Sequence, residues 1–160
     1  MRGALRARAH GAALWLAQGL GAGRAPVAPG TAGTLAAVPL YLLLAELPPW
    51  AYLAAAAGVI ALAVPVCGMA ARRLGVHDHP SIVLDEVAGF LVAMAPAPAG
   101  WPWVAAGFVL FRLFDILKPP PVRAVDRRVG GGLGIVLDDV LAGLWAGLCL
   151  GLAARWLPVS

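Results

Sequence analysis

Carboxylates set into apolar sequence are the residues of this chain that could do chemistry. Asp78, Asp85 and Glu86 lie in His77-Asp78-His79-Pro80-Ser81-Ile82-Val83-Leu84-Asp85-Glu86, which leads into an apolar segment ending near Ala97. Asp115 interrupts Phe108-Val109-Leu110-Phe111-Arg112-Leu113-Phe114-Asp115-Ile116-Leu117, and Asp138-Asp139 interrupt Ile135-Val136-Leu137-Asp138-Asp139-Val140-Leu141. Ionisable groups inside lipid-compatible helices are costly and mark functional sites by default. Acids from separate segments, without cysteine ligands beside them, suit a hard cation. Mg²⁺ is held by one or two carboxylates together with water and substrate phosphates. Neighbours on a helix point about 100° apart. In Asp85-Glu86 and Asp138-Asp139 one member would therefore ligate while the other orients water or a ligand.

Cations and donors accompany these acids. Lys118, Arg123 and Arg127 or Arg128 carry positive charge for phosphate oxygens, as phosphoryl transfer requires. His77 and His79 flank Asp78, where a histidine would protonate a leaving oxygen or bind phosphate. Pro29-Gly30-Thr31-Ala32-Gly33-Thr34 opens the first apolar run, and its backbone N–H groups and hydroxyls would form an anion cradle at a helix N-terminus. Each feature also has a plainer role. Gly-Thr is an ordinary helix start. Asp115 stands three residues from both Arg112 and Lys118 and can pair with either. Acid pairs suit a helix first turn, the two histidines can be surface or capping residues, and Asp126 can pair with Arg127 and Arg128 in a loop. Ser81 and Ser160 are the only serines, and no Cys or Ser nucleophile motif is present.

The elements that must position these groups are apolar helices. The 160 residues are 61% hydrophobic and 12% charged, against about 45–50% and 25% in a soluble domain. Composition thus predicts a single all-α membrane domain over residues 1–160, a small polytopic bundle of about five apolar helices. The runs are Ala32–Leu47, Trp50–Ala71, Ile82–Ala97, Trp103–Leu117 and Leu133–Leu157, separated by Pro48-Pro49, Pro96–Gly100, Pro119-Pro120-Pro121 and Gly130-Gly131-Gly132. The alternation that a barrel would need is absent. Several runs fall short of the roughly 20 residues of a full span, so flanking motif residues complete them or some are tilted or partly inserted. Pro39 and Pro65 are expected to kink their helices. Gly89, Gly107, Gly143 and Gly147 suit close helix contacts. Cys67 and Cys149 read as buried small hydrophobes. The weak apolar stretch His10–Gly23 reads as a short interfacial helix or poor signal sequence, and residues 1–25 are expected to be flexible or interfacial.

The charges then give a topology. Arg2, Arg6, Arg8 and Arg24 precede the first run, Arg72 and Arg73 follow the second, and Lys118, Arg123, Arg127 and Arg128 follow the fourth. With one crossing per run these share a side, which the positive-inside rule makes cytoplasmic. Seven of the eight acids fall on the same side, and only Glu46, expected to be structural or interfacial, lies opposite. Trp50, Trp101, Trp103 and Trp156 then form an interfacial belt on the far side. The net charge of +4 does not indicate nucleic acid, because the basic residues are few, interrupted by apolar helices and not interleaved with exposed aromatics.

At these residues the chain resembles the phosphatidylglycerophosphatase A family. The resemblance rests on Ala28-Pro29-Gly30-Thr31-Ala32-Gly33-Thr34, on Gly75-Val76-His77-Asp78-His79-Pro80-Ser81-Ile82-Val83-Leu84-Asp85-Glu86, and on Phe111-Arg112-Leu113-Phe114-Asp115-Ile116-Leu117-Lys118-Pro119. It continues through Asp126-Arg127, Gly131-Gly132-Leu133-Gly134-Ile135 and Asp138-Asp139-Val140-Leu141-Ala142-Gly143, covering about Gly19 to Gly147. Departures are Pro80 after His79 and Arg128, neither of which touches an acid. The resemblance implies an all-α, multi-pass protein of the bacterial inner (cytoplasmic) membrane, with its active site facing the cytoplasm. The implied reaction is Mg²⁺-dependent hydrolysis of phosphatidylglycerophosphate to phosphatidylglycerol and phosphate. The family also includes a soluble branch.

The expected catalytic residues are Asp85, Glu86, Asp115, Asp138 and Asp139, and the expected metal ligands Asp78, Asp85, Glu86, Asp138 and Asp139. Thr31, Thr34, His77, His79, Arg112, Lys118, Arg123 and Arg127 are the expected substrate contacts. The partner is a membrane phospholipid and not a nucleic acid; oligomeric state is left open. Two other readings compete. A small ion or proton transporter would spread its acids through the membrane depth. A soluble Mg²⁺-dependent phosphatase would suit the short runs.

Overall fold

Proline and glycine set the helix boundaries. The computed structural model describes residues 11–157; the expectations for Arg2, Arg6, Arg8, His10 and Ser160 lie outside the described residues. Residues 11–17 are helical (α1) and run into a 3-10 segment, Gly19–Arg24. The bundle follows as α2 (Pro29–Leu44), α3 (Pro49–Leu74), α4 (Leu84–Met94), α5 (Trp101–Leu117), α6 (Val122–Arg128) and α7 (Gly131–Trp156). No strand occurs among the described residues. Pro29 and Pro49 occupy the first position of α2 and α3, where the missing N–H costs nothing and φ is already helical. Gly75 ends α3 in the left-handed conformation, its N–H bonded to the Ala71 carbonyl at 2.9 Å, as helix C-termini commonly do.

α4 is the central element. Eight of its 11 residues are buried, with α7, α2, α3 and α5 packed around it. An edge-to-face aromatic series, Tyr41–Tyr52, Tyr41–Phe90 and Phe90–Phe111, joins α2, α3, α4 and α5. The Tyr52 hydroxyl donates to the Leu91 carbonyl at 2.6 Å. α4 crosses α7 at main-chain distance. A Cβ on Gly143 would collide with the Gly89 carbonyl, and one on Gly89 would meet the Asp139 carbonyl at 2.6 Å. Only glycine permits that approach.

The expectation of about five apolar helices is met only in part: among the described residues two helices, α3 and α7, are long and apolar enough to cross a membrane. α4 rises only about 16 Å, and its end at Met94 precedes the proline-rich 95–100 segment. Pro39 and Pro65 lie within helices that continue through them. The triple proline was read as punctuation alone, yet Pro121 precedes the short helix α6. In the described part of the stretch expected to be flexible or interfacial, Ala13, Ala17 and Gln18 are buried while Trp15, Leu16 and Leu20 are exposed. The Val83 N–H donates to the Ala17 carbonyl at 2.8 Å.

Candidate active site

Several helices deliver functional groups to the charged end of the bundle. α4 begins with Asp85 and Glu86, α5 ends with Arg112, Asp115 and Lys118, and α7 carries Asp138 and Asp139 two turns from its start. With Asp78 from the α3–α4 loop these side chains line one pocket of about 260 Å³, closed on another side by Ala28, Pro29 and Gly30. Asp85, Asp138 and Asp139 are each only 4% exposed. An Asp85 oxygen accepts the Glu86 N–H at 3.0 Å, and an Asp138 oxygen accepts the Asp139 N–H at 3.1 Å.

Two cations bind the cluster together. Arg112 donates through Nη1 to Glu86 Oε1 at 3.2 Å and to Asp115 Oδ2 at 2.5 Å. Lys118, left-handed at the end of α5 with φ 45°, donates through Nζ to Asp138 Oδ2 at 2.6 Å and Asp126 Oδ1 at 2.7 Å. Burial works against the Lys118 charge, but the hydrogen bonds it donates to Asp126 and Asp138 outweigh that and hold its pKa above the ordinary lysine value. Burial pushes Glu86 up to about 8, against the opposing pull of Arg112. Asp85 is raised by burial, and the neighbouring Glu86 and Asp78 charges add to it. Glu86 Oε2, Arg112 Nε and Asp139 Oδ2 are buried without a hydrogen-bond partner. Such groups cost about 1–3 kcal/mol each unless something binds them.

Of the substrate contacts expected from sequence, Arg112 and Lys118 line the pocket and the others do not. Thr34 is fully buried and its hydroxyl donates to the Gly30 carbonyl at 3.0 Å; it serves its own helix. Thr31 is half-buried on α2 outside the lining. What the 29–34 motif supplies is closeness. A Cβ on Gly30 would overlap Glu86 Oε1, and one on Gly33 would meet Glu86 Oε2 at 2.7 Å. The unpaired N–H groups of this helix start remain beside the pocket. His77 is exposed, and His79 Nδ1 accepts the Ser81 N–H at 3.1 Å instead of facing the pocket. Arg123 donates to the Leu117 carbonyl at 3.4 Å, and Arg127 is exposed on α6. Asp126 pairs with Lys118, not with its arginine neighbours.

Sequence reasoning missed the braces of the site. Arg24 Nε donates to Gln18 Oε1 at 2.9 Å, and Gln18 Nε2 donates to Ser81 Oγ at 3.1 Å. This pins the loop between Asp78 and Asp85 to the amino-terminal segment. A buried glutamine in apolar sequence was the available signal.

The donor set is chemically suited to Mg²⁺: hard carboxylate oxygens, two of them buried and unpartnered. No group of three or more His, Cys, Asp or Glu is arranged to hold an ion outright among the described residues. An ion taken by one or two carboxylates and completed by water and a substrate phosphate fits such a pocket.

The model of the family described as Phosphatidylglycerophosphatase A matches residues 15–154. An Escherichia coli (strain K12) protein named Phosphatidylglycerophosphatase A is 44% identical over 143 residues, 88% of this chain and 83% of its own length. A Haemophilus influenzae protein of the same name is 41% identical over 144 residues, 89% of this chain and 88% of its own. A Bacteroides thetaiotaomicron protein named "Putative phosphatidylinositol-3-phosphatase" is 37% identical over 145 residues, 86% of this chain and 90% of its own. No solved structure matches the chain.

Proposed function

The chain belongs to the phosphatidylglycerophosphatase A family, and from that premise we propose that it hydrolyses phosphatidylglycerophosphate to phosphatidylglycerol and inorganic phosphate, with Mg²⁺ at the carboxylate pocket. One observation carries the reading. Six carboxylates and two cations line a single pocket at one end of an apolar bundle, a formal excess of four negative charges where an anionic phosphate must bind. A divalent cation resolves that conflict. When bound, it supplies Lewis-acid neutralisation of the phosphate charge.

The protein's own groups do the rest. Arg112 and Lys118 offer N–H donors to phosphate oxygens, and the free N–H groups at the start of α2 add a neutral anion contact. No histidine, serine or cysteine lines the pocket. The attacking group is therefore water or an aspartate, and a pocket carboxylate takes the proton when water attacks. Glu86 and Asp115 hold the Arg112 guanidinium in position, as Asp126 and Asp138 hold Lys118.

In this reading α3 and α7 cross the inner membrane and the pocket lies at the cytoplasmic headgroup level. Lys118, Arg72, Arg73, Arg123, Arg127 and Arg128 at the pocket end support that orientation, as do the exposed Trp50, Trp101 and Trp156 at the other. The acids keep to one end, with Glu46 alone opposite, which disfavours a conduction path. The test is phosphate release from phosphatidylglycerophosphate in mixed micelles, before and after EDTA and with Mg²⁺ restored. Turnover indifferent to EDTA would remove the metal. Full activity of both Asp85→Asn and Asp139→Asn would remove the site.

A further inference from the structure

A second concave feature takes no part in the phosphatase reading. α4 stops at Met94, and beyond it α3 and α7 stand apart over a groove of about 800 Å³. Val92 and Pro96 line it together with Ile60 of α3 and Leu144 and Leu152 of α7. Arg155 is the one charged residue in its lining among the described residues. Along α7 the groove extends from Leu144 to Arg155, about 16 Å at the helical rise. That matches the roughly 15 Å depth of one leaflet's hydrocarbon. Arg155 is exposed and joins none of the ion pairs formed among the described residues. Its neighbour Trp156 is 84% exposed, and Trp50 and Trp101 at the same end are 74% and 68% exposed. Aromatic residues so placed mark the headgroup level.

We propose that this groove holds an acyl chain of an anionic phospholipid from the leaflet opposite the active site, with the Arg155 guanidinium bonded to its phosphate. The proposal rests on the membrane insertion argued above. A flexible chain fills an irregular apolar trough and restores the contacts its lining lacks. The guanidinium fork matches a phosphate diester's oxygens. A second copy of the chain suits the groove less well, because a two-fold axis along the membrane normal would bring two Arg155 charges to the same end.

The protein is reconstituted with phosphatidylcholine and phosphatidylserine in equal amounts, extracted in detergent, and its bound lipid counted by native mass spectrometry. The expected result is one phosphatidylserine per chain, retained in preference to phosphatidylcholine. Arg155→Gln should lower retention about fivefold, the factor one basic residue contributes at an anionic lipid surface. Gly151→Leu should abolish it by filling the trough, since a Cβ there meets only Pro96 at an ordinary 3.5 Å. Both variants should keep full phosphatase activity, which certifies their fold. Equal retention of the two lipids, retention unchanged in Arg155→Gln, or a lipid-free dimer would overturn the proposal. Recovery of the protein in the supernatant without detergent would instead overturn the membrane reading, before any lipid is counted.

Discussion

Glu86 sits where packing and chemistry are least separable. Its carboxylate is gripped by Arg112 on one side and covered by the main chain of Gly30 and Gly33 on the other. Gly30→Ala should therefore displace that ion pair and lower turnover on the order of 10²-fold, the cost of misplacing a positioned group by about 1 Å. Far-ultraviolet circular dichroism should stay unchanged, and phosphate release measures the loss. The pH dependence follows from the same burial. Burial raises the Glu86 carboxyl from the ordinary 4.5 to about 8. The stability this group contributes is thus fully present below that lower value and is lost as pH rises through about 8. Metal-free protein should melt at a lower temperature near pH 9 than near pH 6, and Glu86→Gln should reduce the difference. Lys118→Met should cost on the order of 3 kcal/mol in thermal unfolding, because it strands the buried Asp138 carboxylate; adding Asp138→Leu should recover most of it.

The acids and their cations were legible in the sequence because charge within apolar runs has few innocent explanations. The glycines were not, since nothing local to Gly30 says which distant carboxylate will rest upon it. His77 and His79 show the converse: adjacent to Asp78 along the chain, they do not line the pocket that Asp78 lines.

Among the elements, the α4–α7 crossing decides whether the acids meet at all. It sets Asp85 and Glu86 on one helix beside Asp138 and Asp139 on the other, with Gly89 and Gly143 at the point of contact. Gly89→Val should force the helices apart and cost about 1–3 kcal/mol, read as a lower melting temperature and, unlike Gly30→Ala, a loss of structure on mild heating. The small-residue pattern foretold such a contact, and the alternation of apolar runs foretold that helix ends would share a side. Helix lengths were less legible. Apolar composition continues past Met94 to Ala97, but the prolines that follow and the enclosure by four neighbours leave α4 short and wrapped by protein. α6 escaped notice because its seven residues carry four charges and no apolar periodicity.

At the scale of the whole molecule, many large apolar side chains lie on the outside. Leu43, Leu53, Leu62, Val109, Leu144 and Leu148 are all more than half exposed, a surface that suits hydrocarbon. The expressed protein should sediment with membranes, resist extraction by high salt and enter solution only with detergent. Composition made the apolar surface legible, whereas helix lengths depended on how the helices sheathe one another.

The two long helices carry a last consequence. Each rises about 39 Å, so in the proposed membrane reading roughly a quarter of their length would protrude from, or tilt within, a hydrocarbon slab of about 30 Å. Asp139 lies eight residues past the first residue of α7, about 12 Å along it, so in the proposed membrane reading the reacting phosphate would sit within a few ångströms of the hydrocarbon boundary. Bilayer thickness becomes a control on access. Host lipids with longer tails would draw the pocket below the plane of the headgroups, and those with shorter tails would lift it clear, so the rate should peak at an intermediate tail length.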